Sequence, residues 1–513
     1  MLKNHNTKRI FYELNPLFFY DHNGDGFGDF DGISEKINYF SFMGVDCVII
    51  PDIFNNYNSL LFSSFINLKN KYGNTEALKK MIDKFKEKKI DFAVEINIKD
   101  IKKSMLFSAD GTINHGELQE SSKAFFLDKN QSENQSENFN SRATLEAFTK
   151  IIKFWTSFDV TNFVFVNFEN LFNKNEVFSN LTMEQLQQLY KIAKDIDSTI
   201  TIIVKSAGLA QINITECLDP NNRAADLFID TSYSLIGTHP KYANDKIDKF
   251  KPIKLFKKIN QVVKSENAKD NIVMSLGSSL SGRINSRWGN EQSSNALAAK
   301  ALMTISLAST SSSLIYYGDE LGMLKTDIKE NLHFNDIYAI ERKRNMQSEG
   351  QNQKDFFTAQ QYLSPINTQS LFQWDKTKNG GFSSGDVTIR QVSKTYKEIN
   401  VANQYYNHDS PLYYLKKFIE FIKNPIYRHF FNSTKTNMTV HLISKSVIKY
   451  ILQFGDEKLF IFINISINWK RIKISDKLGV VLSNYSKKTY NNKIKMLAPY
   501  EAVILFSKKE YNQ

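Results

Sequence analysis

The stretch of residues 21–32 carries oxygen ligands and glycines at a spacing that could hold a metal ion. It reads Asp-His-Asn-Gly-Asp-Gly-Phe-Gly-Asp-Phe-Asp-Gly. Calcium prefers several oxygen ligands in a tight bend, and glycine allows the backbone to make that bend. The predicted ligands are Asp21, Asn23, Asp25 and Asp29 through their side chains and Phe27 through its carbonyl oxygen. Gly32 stands where an EF-hand loop has its closing glutamate, so a polar, glycine-rich turn without a metal is the alternative.

Residues 11–16 (Phe-Tyr-Glu-Leu-Asn-Pro) precede this stretch, and residues 43–46 (Met-Gly-Val-Asp) follow it. These motifs resemble the N-terminal signature of glycoside hydrolase family 13. Residues 286–290 (Ser-Arg-Trp-Gly-Asn), 315–323 and 373–375 are similar to later motifs of the same family. The resemblance is to the branch that holds oligo-1,6-glucosidases, α-glucosidases and trehalose-6-phosphate hydrolases. It implies a first barrel strand, a structural calcium loop and a first helix at the start of the chain.

The family's catalytic positions fall on residues that cannot perform its chemistry. Glycoside hydrolysis uses two carboxylates, one to attack or stabilise the sugar cation and one to deliver a proton. Counted on the family's motifs, the nucleophile position is Val166, the general-acid position is Lys205 and the stabiliser position is Leu280. Valine and leucine carry no charge, and a lysine donates a proton readily only with a strongly lowered pKa. The resemblance therefore implies that the fold is retained and catalysis is lost.

The positions that hold the sugar in this family have changed as well. Their equivalents here are Leu60, Leu61, Lys99, Asp100, Val164 and Ser279. Three other residues carry side chains that could take part in catalysis. We interpret Glu95 as a structural acid, Glu169 as a carboxylate at a helix start and His115 as a surface histidine.

Alternating strands and helices with short connections predict a parallel sheet, and at 513 residues they favour a closed (β/α)₈ TIM barrel. The barrel is assigned to residues 1–100 and 143–430. Residues 101–142 are polar, include a Gln-Ser-Glu-Asn repeat, and are assigned to a shortened loop domain after the third strand. Short alternating strands over 435–513 predict a C-terminal all-β sandwich.

Composition narrows the partners and the compartment. The net charge of +12 comes from scattered lysines, without a basic block interleaved with aromatics, so we expect no nucleic-acid partner. Cys47 and Cys217 imply no disulfide framework. The N-terminal residues contain no apolar signal segment and no run approaches the length of a membrane span. A cytoplasmic protein is the expectation.

Three hypotheses follow. The first is a catalytically inactive member of the family that serves as a binding or scaffold subunit, with an unidentified protein partner and a possible residual sugar ligand. The second is an α-glucoside hydrolase or transglycosidase of carbohydrate metabolism with a relocated carboxylate pair. The third is a product of sequence drift that folds and does little, which a retained calcium loop would oppose.

Overall fold

The fold is taken from a computed structural model that describes most of the chain. It covers residues 7–51, 72–97, 142–166, 178–207, 211–239, 243–265, 269–327, 352–473, 478–485 and 496–507, together with Ser348 and Gly350. The predicted loop domain at 101–142 lies almost entirely outside the described residues, so that boundary stays a prediction.

Eight parallel strands close into a barrel, as the sequence predicts. The order around the barrel is β1, β10, β9, β6, β5, β4, β3, β2. The barrel closes because β2 also pairs with β1. The strands are β1 (Ile10–Glu13), β2 (Cys47–Ile50), β3 (Asp91–Asn97), β4 (Asn162–Val166), β5 (Thr201–Ser206), β6 (Leu227–Asp230), β9 (Ile272–Ser275) and β10 (Ser312–Tyr316). A small antiparallel hairpin of β7 (Thr238–His239) and β8 (Ala243–Ile247) follows β6.

The barrel strands read as apolar runs because both of their faces are covered. All four residues of β2 are buried, and so are all five of β4. Side chains alternate along each strand, so one set fills the barrel interior while the other packs against the surrounding helices. Cys47 is one of the buried residues of β2 and has no exposed surface.

Helices surround the barrel and continue into the loops at its ends. They are α1 (Pro16–Phe19), α2 (Phe30–Glu35), α3 (Ile37–Met43), α4 (Thr75–Glu87), α5 (Arg142–Thr156), α6 (Phe178–Ile196), α7 (Gln211–Cys217), α8 (Pro252–Val263), α9 (Ile284–Trp288), α10 (Asn295–Leu307), α11 (Gln353–Leu363), α12 (Val401–Gln404), α13 (Pro411–Lys423) and α14 (His429–Asn432). Helix α4 shows how local sequence signals specify a helix. Asn74 caps it by accepting from the Ala77 N–H, and its apolar residues Leu78, Met81, Ile82 and Phe85 are buried.

The chain ends in an antiparallel β domain. Its main sheet has the order β11 (Asn437–Ser444), β12 (Val447–Phe454), β13 (Glu457–Asn464), β17 (Ala502–Ser507), β15 (Gly479–Ser483). A two-stranded sheet of β14 (Lys470–Arg471) and β16 (Met496–Leu497) covers one face of it, and Ile472 and Leu497 pack there against Phe462 and Leu505. In the described part of the chain, no helix is long and apolar enough to cross a membrane.

Candidate functional site

The carboxyl ends of the barrel strands hold a mixture of apolar and charged side chains. An apolar cluster fills the barrel interior below them. Its members are Phe11, Cys47, Ile49, Ala93, Val164, Val166, Ile203, Leu227, Ile229, Val273 and Leu314. Because side chains two residues apart share a face of a strand, Glu13, Glu95 and Lys205 project to the same side as Phe11, Ala93 and Ile203. The three charged groups therefore form the layer above this cluster.

Lys205 binds both carboxylates of that layer. Its Nζ atom donates to Glu13 Oε1 at 2.8 Å and to Glu95 Oε1 at 2.5 Å. The three side chains come from β5, β1 and β3 and are only 10%, 6% and 10% exposed. The second carboxylate oxygen of Glu13, Oε2, is buried without a hydrogen-bond partner in the described part of the structure. The position that the family resemblance assigns to a general acid thus carries a buried cation.

The Lys205 ammonium group holds its proton tightly. Burial alone would lower the pKa of Lys205, but the nearby charges of Glu13 and Glu95 and their hydrogen bonds outweigh burial and hold that pKa above its usual range. A general acid for neutral conditions needs a pKa near the working pH. Lys205 is therefore a poor proton donor in this arrangement.

The structure also describes the residues at the other two positions that the family resemblance assigns to catalysis. Val166 and Val164 both belong to the apolar cluster of the barrel interior, with exposures of 8% and 0%. Leu280 lies on the loop after β9 and is 39% exposed, outside that cluster. Ser279 beside it is half-buried. Leu280 therefore does not join the two valines in the apolar interior, because its loop presents it to solvent.

Several predicted site residues lie outside the described residues. They are Leu60, Leu61, Lys99, Asp100, His115 and Glu169. The predicted roles of these six residues stay predictions.

Two further acids lie at the end of β10. Glu320 accepts hydrogen bonds from the hydroxyl groups of Tyr12 and Tyr39 at 2.7 and 2.8 Å, which fixes it as a structural acid. Asp319 faces Arg283 at 3.6 Å. Burial raises the pKa of Asp319 to about 7 even though the Arg283 charge opposes the shift. Asp319 is thus a buried carboxyl group that could exchange a proton near neutral pH.

The predicted calcium loop is closed by its own hydrogen bonds. Asp21 accepts from Gly24 N at 2.7 Å, Gly26 N at 2.8 Å and Ser383 Oγ at 2.6 Å. Asp29 accepts from Gly32 N at 2.6 Å. The donor set consists of the hard oxygens that calcium takes. Among the described residues, no three histidine, cysteine or acidic side chains form a group that could hold a metal ion, and calcium in this loop stays a prediction.

Glycine is required where this loop meets the segment after Phe382. Gly26 has a φ of +91°, and a Cβ atom there would lie 2.3 Å from the Val387 carbonyl oxygen. The backbone pairs at the same place, since Ile389 N donates to Gly26 O at 3.0 Å. The Asp-Gly repeats therefore serve a close backbone approach, which is a second reason for the spacing that the sequence suggested for a metal.

Glu13 is the one member of the charged layer to which the sequence analysis assigned no role. Glu13 is the last residue of β1. The alternation along Ile-Phe-Tyr-Glu places its side chain on the same face as the inward Phe11. Lys205, which binds Glu13, is 192 positions away in the chain, and Glu95 binds the same lysine from a third strand. Only the closed barrel brings β1, β3 and β5 together at this layer.

A closed eight-stranded parallel barrel followed by an antiparallel β domain defines a TIM-barrel protein with a C-terminal β domain. The model of the alpha-amylase catalytic domain matches residues 13–100 and 114–429. The chain belongs to the alpha-amylase family.

Named relatives extend over almost the whole chain. The oligo-1,6-glucosidase of Heyndrickxia coagulans is 22% identical over 98% of this chain and 99% of its own length. The trehalose-6-phosphate hydrolase of Bacillus subtilis (strain 168) is 20% identical over 97% of each chain. The crystal structure of isomaltulose synthase from Klebsiella sp. LX3 superposes with a TM-score of 0.82 at 17% identity, covering 98% of this chain and 99% of that one. At this identity the structural likeness establishes the fold.

Proposed function

We propose that this chain is a member of the alpha-amylase family that does not hydrolyse glycosides and serves as a binding or scaffold subunit. The observation that carries the proposal is Lys205, bound between Glu13 and Glu95 at the layer where the family's chemistry takes place. The proton at this layer is held by a group whose pKa is raised. Val166, at the nucleophile position, is part of the apolar interior.

The partner of such a subunit would be a protein or a residual sugar ligand. Calcium in the loop of residues 21–29 belongs to the same proposal, with a structural role that ties β1 to α2. Cytoplasmic residence also stays a proposal.

A second candidate function is hydrolysis by a relocated carboxylate pair. The distance between the carboxylates of Glu13 and Glu95 favours it. The Oε1 atoms of Glu13 and Glu95 lie 2.8 and 2.5 Å from the same nitrogen atom, so they are within about 5.3 Å of each other. Retaining glycosidases hold their two carboxyl groups about 5–5.5 Å apart. The Lys205 ammonium group occupies the space between the two oxygens, which argues against a sugar entering there.

The test is a hydrolysis assay of the purified full chain on α-glucosides that include isomaltose and trehalose 6-phosphate, with calcium added. We expect no sugar release above that of Glu95→Gln. If Glu13 and Glu95 were the relocated pair, the wild type would turn over a substrate, and Glu13→Gln and Glu95→Gln would each lower the rate by about a thousandfold or more. That result would overturn the proposal.

A further inference from the structure

An open cleft of about 590 Å³ lies apart from the charged layer of the barrel. It is formed by the segment that joins β8 to α8, by helix α9 and by the end of helix α11. Its lining residues are Gly237, Ile247, Asp248, Lys249, Phe250, Ser286, Arg287, Trp288, Tyr362 and Leu363. This volume is within the range of small-molecule sites, about 300–1,000 Å³. None of the lining residues has a role in the proposed function.

One wall of the cleft is aromatic and held in place. The rings of Phe250 and Trp288 stack with centroids 5.1 Å apart and planes 16° apart. The Trp288 Nε1 atom donates to the Ile236 carbonyl at 2.9 Å, which fixes the indole. Ile247, also in the lining, leaves 43% of its surface exposed. Flat and apolar walls of this kind pack against the C–H faces of a small ligand.

The same cleft holds a cation without a carboxylate partner. Arg287 donates through Nη1 to the Ser234 carbonyl at 2.6 Å and through Nη2 to the Ile236 carbonyl at 2.9 Å. Its Nε atom is buried without a hydrogen-bond partner, and none of the ion pairs among the described residues involves Arg287. Burial accordingly lowers the pKa of Arg287 to about 9. The positive charge in the wall is balanced only by carbonyl dipoles.

The lysine of the lining adds to this charge. Lys249 is exposed and takes part in no ion pair within the described part of the chain. Asp248 is the acid of the lining, and its carboxylate is already bound by Lys254 Nζ at 2.6 Å. The unpaired charges that face the cleft are therefore both positive. An anionic group is what complements them.

We propose that this cleft binds a small carbohydrate that carries one anionic group, such as a phosphate or a carboxylate. The cations of Arg287 and Lys249 would attract the anion, and the wall of Phe250, Trp288 and Ile247 would pack against the sugar ring. Membership of a family whose named relatives act on glucosides favours a carbohydrate as the body of the ligand. The site is separate from Lys205, so it does not depend on whether the barrel hydrolyses glycosides.

Calorimetric titration of the full chain tests this assignment with three probes: glucose 6-phosphate, glucose and inorganic phosphate. We expect glucose 6-phosphate to bind at least tenfold more tightly than either of the others. Lys249→Glu should weaken its binding tenfold or more. The matched control is Lys257→Glu, which makes the same charge change on an exposed lysine of α8 outside the lining, and it should change binding less than twofold.

Each other outcome overturns part or all of the assignment. If glucose binds as tightly as glucose 6-phosphate, the anionic group does not contribute to binding. If inorganic phosphate binds as tightly as glucose 6-phosphate, the carbohydrate does not contribute. Equal losses in Lys249→Glu and Lys257→Glu would mean a diffuse attraction to a basic surface. If neither substitution affects binding, the ligand binds elsewhere. Comparable melting temperatures for the two variants show that both are folded.

Discussion

At the scale of single residues, a buried lysine that joins two carboxylates has an energetic consequence that can be measured. Removing one member of a buried ion pair leaves a charge without compensation and costs about 3–5 kcal/mol. Lys205 compensates both Glu13 and Glu95, and all three side chains are at most 10% exposed. The group is therefore a structural element of the barrel as well as an obstacle to catalysis.

We predict that Lys205→Met lowers the free energy of unfolding by about 3–5 kcal/mol, because Glu13 and Glu95 then face each other without a cation. Chemical denaturation measures this loss. The triple variant Glu13→Gln/Glu95→Gln/Lys205→Met should recover most of it, since the two negative charges are gone. Lys257→Met, at an exposed lysine, is the control and should be neutral. A neutral Lys205→Met would contradict the buried ion-pair arrangement.

A second buried lysine makes stability depend on pH. Lys8 is 7% exposed, and its Nζ donates to the carbonyls of Ser309 at 2.8 Å and Ser311 at 2.6 Å and to Ser313 Oγ at 3.1 Å. Burial lowers the pKa of Lys8 from 10.5 to about 7. The unfolded chain thus binds a proton between pH 7 and 10.5 that the folded chain does not.

The stability contributed by this site should rise as the pH increases from about 7 to 10.5. The gain is at most about 1.4 kcal/mol for each pH unit, because one proton is involved. Below pH 7, Lys8 is charged in the folded and the unfolded chain, so the full cost of burying that charge lowers the free energy of unfolding. Denaturation of the wild type and of Lys8→Met across this range measures the difference. An unchanged difference between pH 7 and 10 would show that Lys8 stays protonated in the folded barrel.

At the scale of elements, the loop of residues 21–29 joins β1 to α2 and packs on the segment after Phe382. Asp21 holds this contact through Ser383 whether or not a metal is bound. Asp25 is exposed and bonds only within the loop, at Phe27 N and Asn23. The two aspartates can therefore separate the role of hydrogen bonds from the role of calcium.

If the loop binds calcium, added calcium should raise the melting temperature and a chelator should lower it again. Asp25→Ala should abolish that response with little loss of stability in the chelated protein. Asp21→Ala should destabilise the chelated protein as well, by about 1–3 kcal/mol, because it leaves buried N–H groups unpaired. A melting curve of the wild type that is the same in calcium and in chelator would contradict the metal assignment.

The strands and helices were the part of the structure that the sequence predicted best. Apolar runs such as that of β4 and the amphipathic pattern of α4 depend on local spacing, and the structure has a buried strand and a helix with a buried apolar face at these places. The sequence left the direction of Lys205 open, and the alternation along β5 in the structure places this side chain on the same face as Ile203. The ion group around Lys205 was not predicted, because the register of three strands far apart in the chain decides it.

At the scale of the whole molecule, the C-terminal β domain packs against the barrel part of the chain, and helix α10 provides hydrogen bonds at this contact. Lys300 of α10 donates to the carbonyl oxygens of Asp409 at 2.9 Å and Asn484 at 2.7 Å. Tyr450 of β12 donates to the Ile305 carbonyl, also in α10, at 2.9 Å. One continuous apolar core includes residues of both the barrel and this domain. The two parts therefore share buried surface and should unfold together.

We predict a single cooperative unfolding transition for the full chain, observed by both far-ultraviolet circular dichroism and tyrosine and tryptophan fluorescence. Tyr450→Phe should lower the free energy of unfolding by about 1–3 kcal/mol, because the Ile305 carbonyl loses a buried partner. It should keep the transition single. Two separated transitions in the wild type would show that the β domain folds independently of the barrel.

The measurement that tests the absence of glycosidase chemistry most directly is fluoride release from α-glucosyl fluoride by the wild type. Fluoride leaves without a general acid, so the assay asks only whether any carboxylate stabilises or attacks the sugar cation. With Val166 in the apolar interior and Glu13 and Glu95 bound to Lys205, we predict a rate equal to that without protein. Release that tracks the protein and disappears in Glu13→Gln/Glu95→Gln would contradict this account and establish a relocated active site.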